Sequence, residues 1–257
     1  MISNQAVVSN KAEFGKNVQI GPFTIVHDNV IIGDNCIIES YCEIGVKSSL
    51  SNGEPLYIGH NSHIRSHSIF YEGSVFGDNL ITGHRVTVRE NTQSGSNVQI
   101  GTLSDIQGHC ILGNYVKMHS SVHIGQKSCI GNYVWLFPYV VLTNDPHPPS
   151  NYLNGVQIKD YAVIATMAVL LPGALIEKDC LVAAHSCLKG NTKSGFIYAG
   201  SPAKPKGQVS NIKLQGTDIP AYPWRKHFHR GYTDEVLNEW LREFGSEDIK
   251  GTSDGHD

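Results

Sequence analysis

Bulky apolar residues recur at every sixth position from the start of the chain: Ile2, Val8, Phe14, Ile20, Val26, Ile32, Ile38 and Ile44. Four residues after each stands a small or compact one: Ala6, Ala12, Val18, Thr24, Val30, Cys36, Cys42 and Ser48. An α-helix repeats near 3.6 residues and a strand near 2, so a strict six fits neither. It predicts a stacked coil in which each repeat is one short strand and a turn. The register resumes, shifted by two residues, at Ile58 and runs to Leu142, with only Thr82 and Ser94 breaking the apolar rule. It returns from Ile158 to Leu188. Three hexads close one triangular coil, so the pattern predicts about ten coils, with apolar ladders inside and each backbone paired to the coils above and below.

Residues 18 apart then stack along one edge, and the period becomes a ruler. Arg89, Gln107, Gly125 and Thr143 share a column; Glu90, Gly108, Gln126 and Asn144 share the next; Asn91, His109, Lys127 and Asp145 the one after. A different edge stacks His84, Thr102 and Ser120, with His119 beside Ser120. Each residue also has a plain structural reading. Asn144-Asp145 before Pro146 suits a turn, because a short polar side chain bonds its own backbone; Arg89 and Glu90 suit a surface ion pair, and a single histidine on a corner suits solvent. Their convergence on a few coils favours a functional corner.

Two interruptions break the rhythm. Residues 50–57, LSNGEPLY, bulge from a corner, and residues 146–157, PHPPSNYLNGVQ, form a longer proline-rich excursion directly after Asp145. Long loops on repeat scaffolds often carry function, so the second is a candidate active-site wall. The pattern fades after Lys193, which divides the chain into a coil domain at 1–204 and an extension at 205–257. In the extension Thr233 suits the cap of a helix whose Val236, Leu237, Trp240, Leu241 and Phe244 form one apolar face. The basic and aromatic stretch from Pro223 to Tyr232 suits either a nucleotide or internal packing.

Composition changes little. The chain has 257 residues, 40% hydrophobic, with a formal charge of −3, which argues against a nucleic-acid groove. The start lacks a basic segment followed by an apolar run, and no stretch has the length of a membrane span, so a cytoplasmic protein is expected. Of six cysteines, Cys36, Cys42, Cys110 and Cys180 fall at the small position and Cys129 and Cys187 one place later. With no C-x-x-C pair, all six read as packing residues.

Over residues 2–204, ending in Ala199-Gly200-Ser201-Pro202-Ala203-Lys204, the pattern resembles the hexapeptide-repeat acyltransferases. The resemblance implies an all-β fold, a left-handed parallel β-helix of hexapeptide repeats with a small C-terminal α-helical region. The left hand comes from the resemblance, since crossovers are right-handed by default. A homotrimer with sites shared between subunits is also implied.

The string Thr82-Gly83-His84-Arg85-Val86-Thr87-Val88-Arg89-Glu90-Asn91, with Val140 to Asp145 and the proline-rich loop, resembles one branch of that family. This branch holds the N-acetyltransferases of nucleotide-linked amino-deoxy sugars, notably dTDP-3-amino-3,6-dideoxyhexose, used in bacterial surface polysaccharides. His119 stands where relatives often carry Gln. The implied reaction is attack of the sugar amine on the thioester of acetyl-CoA, a co-substrate, with no metal.

Asp145 would bind the sugar ammonium or accept its proton, Asn144 would position the amine, and His119 would act as base or only bind. His84, Arg89, Glu90 and Asn91 would contact sugar or nucleotide. Pantetheine would pass Ala165, Ala183 and Lys189, and Pro202 and Lys204 would lie near the coenzyme A nucleotide. Three rival readings stay open. One is an O-acyltransferase acting on a sugar or UDP-sugar with an acyl carrier protein. Another is a trimeric zinc hydratase resembling the γ-class carbonic anhydrases, using His84, His119 and His123; the third is a non-enzymatic β-helix scaffold.

Overall fold

The structure, a computed structural model, describes residues 1–245. Its strands, mostly two residues long, stack into three sheets of 10, 9 and 11 members. The first sheet begins at Val7–Val8, the second at Glu13–Phe14 and the third at Gln19–Ile20, and each strand pairs in parallel with the one a full coil later. Thr87, Asp105, His123 and Val141 are successive partners, a spacing of 18 residues per coil. The chain is thus an all-β parallel β-helix, with one short α-helix, Asp234–Phe244 (α1), near its end.

The sixfold residues fill the interior. Ile32, Ile38, Ile44, Ile58, Ile64 and Phe70 have essentially no exposed surface, and Phe70 meets Phe76 edge-on at 5.3 Å. Thr82 is also buried, and its hydroxyl accepts the Arg65 amide at 2.9 Å, which explains a polar residue in that ladder. The small fourth position turns each corner, and where it carries a hydroxyl it serves the backbone. Thr24 Oγ1 donates to Glu39 O at 2.6 Å and accepts from Cys42 N at 3.0 Å.

The residue before it adopts the left-handed conformation, which asparagine tolerates well, and Asn17, Asn29, Asn35, Asn61, Asn79 and Asn97 all sit there. Aromatic residues at this position stack instead: Phe23, Tyr41 and His67 on one corner and Tyr115, Tyr133 and Tyr161 on another, about 5 Å apart.

The two irregular loops leave the corner that follows the first sheet. One spans 47–55, between the strands Glu43–Val46 and Leu56–Ile58; the other spans 143–156, between Val141–Leu142 and Gln157–Ile158. Cys36, Cys42, Cys110 and Cys180 are buried, but Cys129 is exposed and Cys187 half-buried, so packing does not account for all six. The difference follows from phase: Cys129 and Cys187 lie one place later, where side chains point out of the strand.

The chain divides into compact units at Met1–Lys206 and Gly207–Asp257. In the second, Thr233 occupies the N-cap of α1 with extended backbone. Trp240 is fully buried, with Trp224 at 5.6 Å and Tyr232 at 4.8 Å. Buried Arg225 pairs with Glu243 at 2.6 Å and lies over the Phe244 ring. The basic and aromatic stretch therefore packs this unit internally. The last part of the extension, 246–257, lies outside the described residues. No helix among the described residues is long and apolar enough to cross a membrane.

Candidate functional site

The two polar groups picked out by the period occupy opposite edges of the first sheet. Along the corner that follows it run Arg89, Gln107, Gly125 and Thr143, joined by backbone hydrogen bonds of 2.9 Å from Arg89 N to Ile106 O and Gln107 N to Ile124 O. His84, His119 and Ser120 belong to the corner that precedes it, at the end of the third sheet.

Much of the first group is engaged in holding loops. Glu90 is fully buried; its Oε1 accepts from Arg89 Nη2 at 3.1 Å, while Glu90 Oε2 and Arg89 Nε have no partner. Gly108 packs directly beneath, where a Cβ would come within 2.7 Å of Glu90 O. Glu90 is thus placed to hold Arg89 and does not reach the surface as a substrate contact would. The Arg89 side chain is 30% exposed and its guanidinium lies 5.8 Å from the Tyr71 ring centre.

Asn91 Nδ2 donates to Leu50 O at 3.0 Å and Asn91 Oδ1 accepts from Asn52 N at 3.3 Å, pinning the 47–55 loop. Asp145 accepts from the Ser150 hydroxyl at 2.7 Å and from the amides of Ser150 and His147 at 2.8 and 2.9 Å. The Ser150 hydroxyl foremost, with those amides, holds its carboxyl below the usual carboxylate range. This is the turn that a short acidic side chain makes with its own backbone, and a carboxylate so stabilised is a poor proton acceptor. Asn144 O accepts Asn154 N at 2.7 Å, closing the same loop.

On the third sheet one column reads Glu39, Arg65, Gly83, Gly101, His119, Phe137, Ala165 and Ala183. Gly83 and Gly101 carry no side chain, and between Arg65 and His119 they leave a cleft of about 320 Å³. At Gly101 a Cβ would collide with the His119 backbone. Lys117 and Trp135 line its far side, the Lys117 ammonium 4.8 Å from the Trp135 ring.

The His119 ring stacks on Phe137 at 4.7 Å, and burial pushes its pKa down, so the imidazole is neutral near pH 7. His84, at the near end, lies 2.9 Å from Ser66 Oγ and 4.0 Å from Glu39 Oε2. Glu39 in turn meets His63 at 2.8 Å. Ala165 and Ala183 continue the His119 column, whereas Lys189 ends the first sheet, on a different face. Pro202 and Lys204 are exposed in the closing turn and strand.

Sequence reasoning missed Arg65, Lys117 and Trp135 in the cleft, and the Asp105 partner of His123 on the first sheet. His123 Nδ1 lies 3.1 Å from Asp105 Oδ2, to which Gln107 Nε2 also donates. Asp105 and His123 are 18 apart, so the same ruler reaches them. Burial opposes ionisation of Asp105, but the hydrogen bonds from His123 and Gln107 outweigh it and hold the carboxyl below its ordinary value; Arg89 adds to this. His84 and His119 therefore lie on one side of a corner and His123 on the other. Among the described residues no three His, Cys, Asp or Glu side chains gather as a metal site.

The family model described as "Bacterial transferase hexapeptide (six repeats)" matches residues 11–45, and the same period continues through the coils described above. The chain is a hexapeptide-repeat protein. This hexapeptide-repeat chain is 28% identical over 144 residues to "Gamma carbonic anhydrase 2, mitochondrial" of Arabidopsis thaliana, covering 51% of each chain. It is 27% identical over 173 residues to an "Acyl-[acyl-carrier-protein]--UDP-N-acetylglucosamine O-acyltransferase" of Burkholderia lata, covering 65% of this chain and 60% of that one. It thus spans about half the length of the first of these curated relatives and about 60% of the second. Among solved structures, an Arabidopsis UDP-N-acetylglucosamine acyltransferase aligns at a TM-score of 0.40 and 15% identity, over 97% of this chain and 91% of that one.

Proposed function

We propose that this protein is an acyltransferase that moves an acyl group from a thioester to a nucleotide-linked sugar, with a sugar hydroxyl as the acceptor. The observation that carries the reading is the bare-floored cleft on the third sheet, with a neutral imidazole at one end and cationic side chains along it. A hydroxyl, unlike an amine, must lose a proton to attack a thioester, so a neutral imidazole beside the acceptor is the chemistry that O-acylation requires. Arg65 and Lys117 supply charge for a diphosphate, and Trp135 supplies a ring face for a base or sugar. Two Burkholderia relatives named as UDP-N-acetylglucosamine O-acyltransferases, 27% and 28% identical, lend the same reading support.

In this reading His119 contacts the acceptor, and His84, Arg89, Asn144 and Asp145 bind sugar or nucleotide from the two edges, which would meet in a trimer. The column of Ala165 and Ala183 gives a thioester arm a smooth path as far as Phe137, on which His119 stacks. The donor is an acyl thioester of coenzyme A or of a carrier protein. An amine acceptor is the second reading, favoured by the Thr82–Asn91 string and by Asn144-Asp145.

Purified protein offered acetyl-CoA and longer acyl thioesters, with UDP-N-acetylglucosamine and a set of dTDP-amino sugars, tests both. Thiol release that requires the sugar, with a hydroxylamine-labile product, is expected for the ester. A hydroxylamine-stable amide would move the assignment to the amine reading. No thiol release with any acceptor, together with stoichiometric zinc and carbon dioxide hydration, would replace acyl transfer by the activity named for the Arabidopsis relatives.

A further inference from the structure

A second cavity, of about 710 Å³, opens at the corner that follows the first sheet, between the 47–55 loop and the opening coils. Lys47, Gly53 and Pro55 form its wall on the loop side, and Asn29 Nδ2 fastens that side by donating to Gly53 O at 3.0 Å. It shares no residue with the third-sheet cleft.

Glu72 lines this cavity with 7% of its surface exposed. Among the described residues its carboxylate has no hydrogen bond or ion pair. In this it differs from Asn91 and Asp145, which are engaged in holding the loops. Glu90 stands 18 residues on, one coil further along the same column, fully buried with Oε2 unpartnered; Arg89 takes only its other oxygen. Of the remaining charges on the wall, Lys11 is committed to Asp28 at 3.1 Å. One cation, Lys47, is then left against two carboxylates, Glu13 and Glu72, so the cavity is one positive charge short.

A buried carboxylate is costly unless a cation or hydrogen-bond donors meet it. What Glu72 lacks is therefore a single positive charge with donors of its own. A metal ion is disfavoured, because among the described residues no three His, Cys, Asp or Glu side chains gather to hold one. A primary ammonium group carries one charge and three donors, and Ile31 and Pro55 give an attached carbon body an apolar surface.

We propose that this cavity is a second binding site, which takes the primary ammonium group of a small molecule on Glu72 and lays its carbon body against Ile31 and Pro55. The proposal does not depend on the acyl-transfer reading. Because Asn91 pins the same loop beside Arg89, an occupant of the cavity also braces the corner that carries both.

The test titrates the full-length protein calorimetrically with a matched set: 3-methylbutylamine, L-leucine and 4-methylpentanoate, which carry the same branched body with an ammonium, both charges, or a carboxylate. The amine should bind with one-to-one stoichiometry and the acid should not bind. Binding of the amine alone, or of leucine as well, tells a simple amine from an amino acid as the occupant. Glu72→Gln keeps the shape and removes the charge, so it should weaken amine binding about 30-fold or more. Without ligand the same variant should melt at or above the wild-type temperature, because an unpaired buried charge is gone. Absence of amine binding at millimolar concentration, or binding undiminished in Glu72→Gln, would overturn the site. So would a Glu72→Gln protein that melts below wild type, since Glu72 would then already have a partner; a matching loss in Lys47→Met would identify that partner as Lys47.

Discussion

Ser104 offers a sharp test of how the coil holds the corner between His119 and His123. Its hydroxyl is buried, donates to His119 O at 3.1 Å and accepts from Val122 N at 3.2 Å, so one small side chain serves both ends of the turn between His119 and His123. Ser104→Ala removes both bonds and leaves a buried carbonyl and a buried amide in need of partners, at a cost of about 1–3 kcal/mol. For a chain of this size about 2 kcal/mol corresponds to a fall of roughly 4–8 °C in Tm.

The protein supplies its own control. Thr24, near the head of the same column, makes the equivalent two bonds to Glu39 O and Cys42 N. Ser104→Thr should therefore melt within about 2 °C of wild type. Calorimetric melts of the two variants check this. A Ser104→Ala protein as stable as wild type, or a Ser104→Thr protein as weakened as Ser104→Ala, would refute the claim that the hydroxyl ladder satisfies the corner.

Further expectations follow from burial and charge. Because burial lowers the His119 pKa, protonation favours the unfolded chain, and stability should decline as pH falls through the ordinary histidine value of about 6.5. His119→Gln should lose less stability than wild type between about pH 7 and 5, and parallel acid melts would rule this out. Asp145→Ala frees Ser150 and the His147 amide, so limited proteolysis within 146–153 should accelerate with little change in Tm; unchanged cleavage would show that other contacts hold the loop. Burial raises the Cys42 and Cys110 thiols to about 11, so Cys129 should react first with a thiol reagent in the native protein; early labelling of Cys42 or Cys110 would contradict the interior placement. Trp240→Ala should cost about 3–5 kcal/mol locally and abolish the near-ultraviolet signal of the C-terminal unit, and a retained signal would argue against the aromatic cluster as its core.

The fold was legible because a triangular coil makes two demands that repeat along the chain, broken only at a few positions such as Ser94 and Leu80: a bulky apolar residue inside and a compact one at the bend. Even Thr82 obeys once its hydrogen bond to the Arg65 amide is counted. The columns at Arg89 and at His84 were legible for the same reason. Whether a side chain in a column was free was not, because the two insertions decide it. Asn91 is tied to Leu50 and Asn52, and Asp145 to Ser150, by chain that lies outside the register. No count of 18 reaches those partners.

That difference reverses the weight given to the two kinds of position. A corner that collects Arg, Glu, Asn and Asp beside an insertion reads as a site, yet a loop leaving a coil exposes backbone amides and carbonyls that need partners, and short polar side chains at the corner are the nearest supply. Polar convergence there is what a scaffold requires before any ligand arrives. On the flat strand faces the backbone is already paired to neighbouring coils, so a polar side chain has no structural debt. Asp105 and His123 sit at such positions. The chemistry of this chain is therefore better sought where its rhythm is unbroken than where it fails.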